Sequence, residues 1–187
     1  DWVRAQGVGL NGKLPERPAI VVIAVKPQMM AAALPALRAM GGGATLFLTV
    51  AAGTRIATYE AALGAATPVV RAMPNTPAAI ARGITAIVGN DHATAAHLGQ
   101  AEELLSAVGQ VVRLQGEEQM DAVTAVSGSG PAYVFHLIET LAAAGVAEGL
   151  PPDLVMKLAK ATVGGAGALA EAASEDPAQL RVNVTSP

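Results

Sequence analysis

Residues Ala19 to Val25, AIVVIAV, form a continuous apolar run rich in β-branched side chains. A run of this kind suits a strand buried on both faces, as in a parallel sheet. It opens a series. Gln28 to Met40 reads as a helix, Ala44 to Val50 (ATLFLTV) as the next strand, Arg55 to Leu63 as a helix, Pro68 to Met73 as a strand and Ile84 to Val88 as another. From Asp91 the pattern turns helical, with Leu98, Ala101, Leu104, Leu105 and Val108 on one face and Gly109 as the terminator. Val111 to Leu114 closes the series as a short strand. Alternation of strand and helix predicts a doubly wound α/β sheet.

After Leu114 nearly everything reads as helix: Glu117 to Val126, Pro131 to Glu148, Pro152 to Ala173 and Pro177 to about Val182. This change places a domain boundary near Gln115, dividing the chain into 1–114 and 115–187. The helix from Pro131 is apolar almost all round, and a helix without a polar face must be covered on every side. In so small a domain the cover is expected from a second subunit, with an intertwined dimer as the minimum assembly. Val163-Gly164-Gly165-Ala166-Gly167 offers small residues for close helix crossing, and Asp176-Pro177-Ala178-Gln179 has the pattern of a capping box with proline at the first helical position. The loop-like stretch Gly9 to Pro18 has no assigned role.

With 52% hydrophobic and 14% charged residues among 187, the chain can bury a sizeable core. A net charge of −3 and the absence of any basic run give no electrostatic reason to bind nucleic acid or an anionic membrane surface. Zero cysteines excludes disulfides and thiolate metal sites and fits a reducing cytoplasm, the expected location. His92, His97 and His136 are too scattered for a zinc site, so no metal is expected. Apolar runs break well before the roughly 18 residues of a membrane span, and no secretory segment is visible, although the sequence begins at Asp1 without methionine.

In an open α/β sheet chemistry gathers beyond the carboxyl ends of the strands. Ala24-Val25-Lys26-Pro27 follows the first strand, with proline forcing Lys26 into an extended conformation; a surface lysine at a turn reads equally well. Val50-Ala51-Ala52-Gly53-Thr54 follows the second and is small enough for a flat ligand to approach the backbone, or for strand and helix to pack closely. Arg71-Ala72-Met73-Pro74-Asn75-Thr76-Pro77 holds an amide and a hydroxyl between two prolines, for a ligand contact or for a turn in which Asn75 satisfies its own backbone. Ala125 to Tyr133, AVSGSGPAY, sets glycines and small hydroxyls directly against the apolar helix. Pro131 suits its first position, and Ser129 or Gly130 its cap, leaving N–H groups for an anion or a tight turn. Ser129 reads otherwise as a structural cap and Tyr133 as a core aromatic.

Taken in order, AVKP at Ala24 to Pro27, AAG at Ala51 to Gly53, MPNTP at Met73 to Pro77, DAVTAVSGSGPAY at Asp121 to Tyr133 and VTSP at Val184 to Pro187 resemble the pyrroline-5-carboxylate reductase family. The resemblance runs collinearly over almost the whole chain. It implies a Rossmann-like dinucleotide-binding domain over 1–114 and an all-α dimerisation and substrate domain over 115–187. It also implies an NADPH- or NADH-dependent reduction of 1-pyrroline-5-carboxylate to L-proline by direct hydride transfer, the last step of proline biosynthesis. Carried over position by position, Ala24, Val25, Lys26, Pro27, Ala51, Ala52 and Gly53 would line the nicotinamide end of the cofactor, with Asn75 close by. Glu117, Asn183, Thr185 and Ser186 would contact the substrate, the last two beginning a loop that holds its carboxylate. By its residues alone Glu117 reads as a solvated first-turn acid favoured by the helix dipole.

The resemblance also marks departures. The family's glycine-rich phosphate loop and the strand that selects between the cofactors have no counterpart here, and the family's substrate-bonding threonine is expected beyond Pro187, leaving no catalytic residue within the chain. These 187 residues alone are therefore expected to be inactive, with the missing ends lying outside the sequence. Two other readings stay open. A β-hydroxyacid-type dehydrogenase would need a catalytic lysine in the helical domain, where Lys157 and Lys160 have the spacing of a solvated face. A non-catalytic dimerisation or nucleotide-sensing module would need none.

Overall fold

The structure, a computed structural model, describes residues 2–185. The chain divides into two compact units, one extending through Gly128 and one beginning at Ser129.

The first unit opens with a short helix, α1 (Trp2–Ala5), and is built on a five-stranded sheet: β1 (Ile20–Ile23), β2 (Leu46–Thr49), β3 (Val69–Met73), β4 (Gly83–Gly89) and β5 (Gly109–Arg113), side by side in that order. Helices α2 (Met30–Leu37), α3 (Ile56–Leu63) and α4 (Ala95–Ser106) make the crossovers β1–β2, β2–β3 and β4–β5, and those pairs are parallel. The sheet is not parallel throughout, as the apolar run had suggested. β3 and β4 are antiparallel, because residues 74–82 between them are too few for a crossover and can only reverse the chain.

Period-two alternation sends the strand side chains to opposite layers. Ile23, Phe47 and Val69 meet Met30, Leu34, Ile56, Tyr59 and Leu63 of α2 and α3, while Leu46, Leu48, Val70, Ala72 and Ile87 meet Ala101 and Leu105 of α4. Helices on both faces leave every residue of β2 buried, and its sequence is correspondingly LFLT.

Details depart from the sequence reading for local reasons. The helix expected over Gln28 to Met40 is broken into single 3-10 turns at Pro27–Met29 and Arg38–Met40 around α2, which carries Pro35 inside it. α4 begins later than Asp91, at a capping box in which Thr94 Oγ1 accepts the His97 N–H at 3.3 Å and His97 Nδ1 accepts the Thr94 N–H at 3.2 Å. Leu104 is exposed, off the stripe made by Leu98, Ala101 and Leu105. Gly109 is not the helix terminator, because Ala107 caps α4. Gly109 instead starts β5 with φ of 144°, and a Cβ there would lie 2.0 Å from the Gly83 carbonyl oxygen.

A 3-10 turn (Glu117–Gln119), α5 (Met120–Val123) and a five-residue π-helical turn (Thr124–Gly128) complete this unit. Met120 is buried in the α2–α3 layer, so the packing boundary after Gly128 falls later in the chain than the change of composition near Gln115. Thr124 Oγ1 donates to Met120 O at 2.8 Å and Ser127 Oγ to Val123 O at 3.1 Å. Back-bonding of this kind competes with the backbone N–H groups and favours a widened turn.

The second unit contains α6 (Gly130–Ala147), α7 (Pro152–Ala172) and α8 (Pro177–Asn183). α6 and α7 pack together around Ala142, Val155 and Ala159, with Ile138 against them. Gly145 lets Val155 come close, since a Cβ there would lie 2.5 Å from Val155 Cγ1. Gly164, Gly165 and Gly167, where small residues permit a close helix crossing, face open space among the described residues. Ser129 has helical dihedral angles and makes no side-chain cap, and Tyr133 is 62% exposed rather than a core aromatic. Asp176 caps α8 by accepting the Ala178 N–H at 2.8 Å. The box is not completed by Gln179, whose Nε2 donates to Asn183 Oδ1 at 2.7 Å instead.

Candidate functional site

β1, β2 and β3 run parallel, and the register pairs Ile23 with Thr49 and Thr49 with Arg71. Their carboxyl ends therefore share one edge of the sheet, and Ala24 to Pro27, Ala51 to Gly53 and Asn75 emerge there together. Lys26 has φ −62° and ψ 146°, the extended conformation that Pro27 demands of its neighbour, and its carbonyl accepts the Met29 N–H at 2.9 Å. Ala24, Lys26, Pro27, Ala52 and Gly53 are exposed, Val25 is half-buried and Ala51 is buried.

The loop after β2 is anchored from beneath. Thr49 Oγ1 and the Tyr59 hydroxyl, both fully buried, lie 2.6 Å apart, and Thr49 Oγ1 also accepts the Ala51 N–H at 3.3 Å. Gly53 turns the loop with φ of 73°, and nothing lies within 4 Å of where its Cβ would be. Arg55 is extended and offers no side-chain cap to α3. That cap comes from far along the chain: Glu117 Oε1 accepts the Ile56 N–H at 2.8 Å and also the Arg71 Nη1 donor at 2.6 Å.

Asn75 does not turn back on its own backbone. Its Oδ1 accepts the Ile84 N–H at 3.0 Å, at the start of β4, and its Nδ2 donates to the Ser127 carbonyl at 3.2 Å. The amide thereby ties the β3–β4 loop to the π-helical turn. Glu117 is not a solvated first-turn acid, since its side chain is 27% exposed and paired with the buried Arg71. Asn183 and Thr185 belong to the second unit, where Asn183 Oδ1 is engaged by Gln179 and Thr185 Oγ1 donates to Arg181 O at 2.8 Å. Ser186 lies outside the described residues.

Three residues at this edge have roles that the sequence reading does not assign. Arg71 is a lone charge in the otherwise apolar strand VVRAM, and that was its signal. Thr49 and Tyr59 carry no such mark; a threonine in a strand and a tyrosine on a helix read as ordinary core.

Two concave spaces border this edge. A groove of 570 Å³ between α2 and α3 has Pro27, Gly53 and Thr54 in its lining, and a cleft of 330 Å³ is lined by Arg55, Arg71, Glu117, Glu118 and Asp121. Another cavity, of 740 Å³, includes Pro18, Ala19, Ala44 and Thr45 at the amino ends of β1 and β2. We place the site at the carboxyl edge, because open α/β sheets present their loops and free backbone groups to ligands there. Among the described residues no cluster of metal-binding side chains occurs.

Residues 117–187 match the family model described as pyrroline-5-carboxylate reductase dimerisation. Pyrroline-5-carboxylate reductase of Pseudomonas aeruginosa is 45% identical over 168 residues, which cover 90% of this chain and 62% of the relative. Among solved structures, the Coxiella burnetii pyrroline-5-carboxylate reductase aligns with a TM-score of 0.86 at 35% identity, over 92% of this chain and 64% of that one. The Plasmodium falciparum pyrroline carboxylate reductase, solved with NADP bound, aligns with a TM-score of 0.81 at 30% identity, over 90% and 64%. A mixed sheet sandwiched by helices, with its loops gathered at one edge and a helical unit following, defines a Rossmann-like α/β protein with a helical extension. More particularly, the chain belongs to the pyrroline-5-carboxylate reductase family. It spans less than two thirds of the length of these relatives, 62% of the first and 64% of each solved chain.

Proposed function

We propose that the protein carrying this chain reduces 1-pyrroline-5-carboxylate to L-proline with NADPH or NADH, the last step of proline biosynthesis, in the cytoplasm. The observation that carries this reading is the 45% identity to the Pseudomonas aeruginosa reductase over 90% of the chain, and it is supported by Ala24 to Pro27, Ala51 to Gly53 and Asn75 lying at one sheet edge.

That edge fits the flat end of a dinucleotide. Ala24, Ala52 and Gly53 present backbone and methyl groups only, are exposed, and leave open space above Gly53. Ala24, Val25, Lys26, Pro27, Ala51, Ala52 and Gly53 would hold the nicotinamide end, with the Asn75 latch fixing the neighbouring loop. When bound, the reduced nicotinamide would supply the hydride to the carbon of an imine already protonated on nitrogen by solvent, the C=N electron pair passing to that nitrogen. The chain's part is to hold two reactants face to face, which alone accounts for a large share of the acceleration in a transfer needing no acid-base dyad at the reacting carbon. Asn183 would stand at the junction of cofactor and substrate, and Thr185 and Ser186 would begin the loop around the substrate carboxylate.

The helical unit is proposed to join a second copy of the chain. Tyr133, Phe135, Leu137 and Leu141 of α6 and Leu154, Leu158 and Leu169 of α7 are exposed within one chain. So much exposed apolar surface on two helices favours association with another chain. Among the described residues no helix is long and apolar enough to cross a membrane.

The test is turnover. The full-length protein carrying this chain, mixed with 1-pyrroline-5-carboxylate and NADPH or NADH, is expected to consume the reduced nicotinamide and yield one proline for each. Absence of turnover with both cofactors refutes the assignment.

A further inference from the structure

Arg71 is 5% exposed, and its guanidinium is held by a carboxylate 46 residues further along the chain. Glu117 Oε1 takes two donors at once, Arg71 Nη1 at 2.6 Å and the Ile56 N–H at 2.8 Å. Ile56 is the first residue of α3, where helix geometry leaves N–H groups without intrahelical partners and favours negative charge. A carboxylate fixed there by a buried arginine holds the start of the helix in place. The segment running into it is Ala51 to Arg55, whose other end is tied to Thr49 and through it to Tyr59. The loop is thus fastened at both ends, with its turn at Gly53 between.

We propose that Glu117 and Arg71 are positioning residues for the dinucleotide: the pair sets the Ala51–Arg55 loop in the conformation that receives the nicotinamide end and touches no substrate. This rests on the assignment of that loop to the cofactor made above. It replaces the substrate contact that the family resemblance implied for Glu117. The cleft beside the pair is lined by Glu117, Glu118 and Asp121 against Arg55 and Arg71, an excess of negative charge that disfavours a substrate carboxylate. The single oxygen Oε1 already accepts two bonds. Without the clamp the loop would reach its binding conformation for only part of the time, and cofactor affinity would fall by that fraction.

The experiment uses the full-length protein, wild type and with E117A, E117D and E117Q. It measures NADPH dissociation by reduced-nicotinamide fluorescence, KM for each reactant, and amide hydrogen exchange at Ile56. E117A is expected to weaken NADPH binding roughly tenfold, the scale of a lost helix cap. KM for pyrroline-5-carboxylate at saturating NADPH should stay within about twofold, as befits a group that does not touch it. E117Q keeps an oxygen for both donors and should bind NADPH as the wild type does, with the Ile56 amide still protected. E117D is a methylene short and should behave as E117A does, so the comparison survives even if E117A does not fold.

A raised KM for the imino acid with NADPH affinity unchanged would overturn the proposal. So would an E117Q protein as impaired as E117A while its Ile56 amide stays protected. A wild-type protein that binds NADPH without reducing pyrroline-5-carboxylate sinks the functional assignment alone, and the dissociation constants still judge the clamp. Failure to bind either cofactor sinks both.

Discussion

At the scale of single residues, this protein holds its loops with polar side chains that bridge distant backbone groups. Asn90 is a clear case beyond the site. Its Oδ1 accepts the Val69 N–H at 3.0 Å, and its Nδ2 donates to Glu60 Oε1 at 2.8 Å and to the Thr67 carbonyl at 2.9 Å. One amide therefore joins the end of β4, the start of β3 and helix α3. Replacing it with alanine strands the Val69 donor and the Thr67 acceptor in a buried place, and N90A is expected to cost about 3 kcal/mol. Urea unfolding measures this; a midpoint unchanged from wild type would show that water or a rearranged chain replaces the bonds. Such partners were not legible in the sequence. Asn75 stood out because two prolines flank it, yet its partners, Ile84 and Ser127, depend on where the chain returns after long intervals. Glu117 is marked in the sequence by its family position alone, and its actual partners, Arg71 and Ile56, lie 46 and 61 residues away.

At the scale of elements, the strands and helices follow closely from local pattern. β2 is the LFLT core of the expected ATLFLTV run, and α3 covers all but the first residue of the expected helix from Arg55. The direction of β4 escaped the pattern, since a strand's sequence reads alike in either direction and the length of the connecting loop decides. Helix ends were also less certain. The start of α4 is set by Thr94, with His97 taking the place usually filled by a carboxylate or amide in the box. T94A removes the cap and is expected to lower stability by about 1 kcal/mol, whereas T94S, which retains the hydroxyl, should restore most of it. Thermal melting compares them, and equal melting points for alanine and serine would rule out the cap as a source of stability.

At the scale of the whole molecule, the helical unit is the part that a single chain leaves unfinished. Its buried hydrophobic set is Ala142, Val155 and Ala159, while Phe135 is 60% exposed. A charge placed there, as in F135D, is expected to shift the assembly toward monomer in sedimentation velocity and to leave the first unit folded by circular dichroism. Retention of the wild-type sedimentation coefficient would show that Phe135 lies outside any subunit interface. The sequence by itself determined the period and order of the elements, the apolar character of α6 and the family to which the chain belongs, because hydrophobic periodicity and contiguous motifs are local properties. Only the tertiary structure decided that β4 runs against β3, that Asn75 and Glu117 direct their side chains to the protein's own groups, and that residues 117–128 fall in the same compact unit as the sheet. Those outcomes depend on which distant groups arrive within bonding distance once the chain has folded, and neighbouring residues carry no record of it.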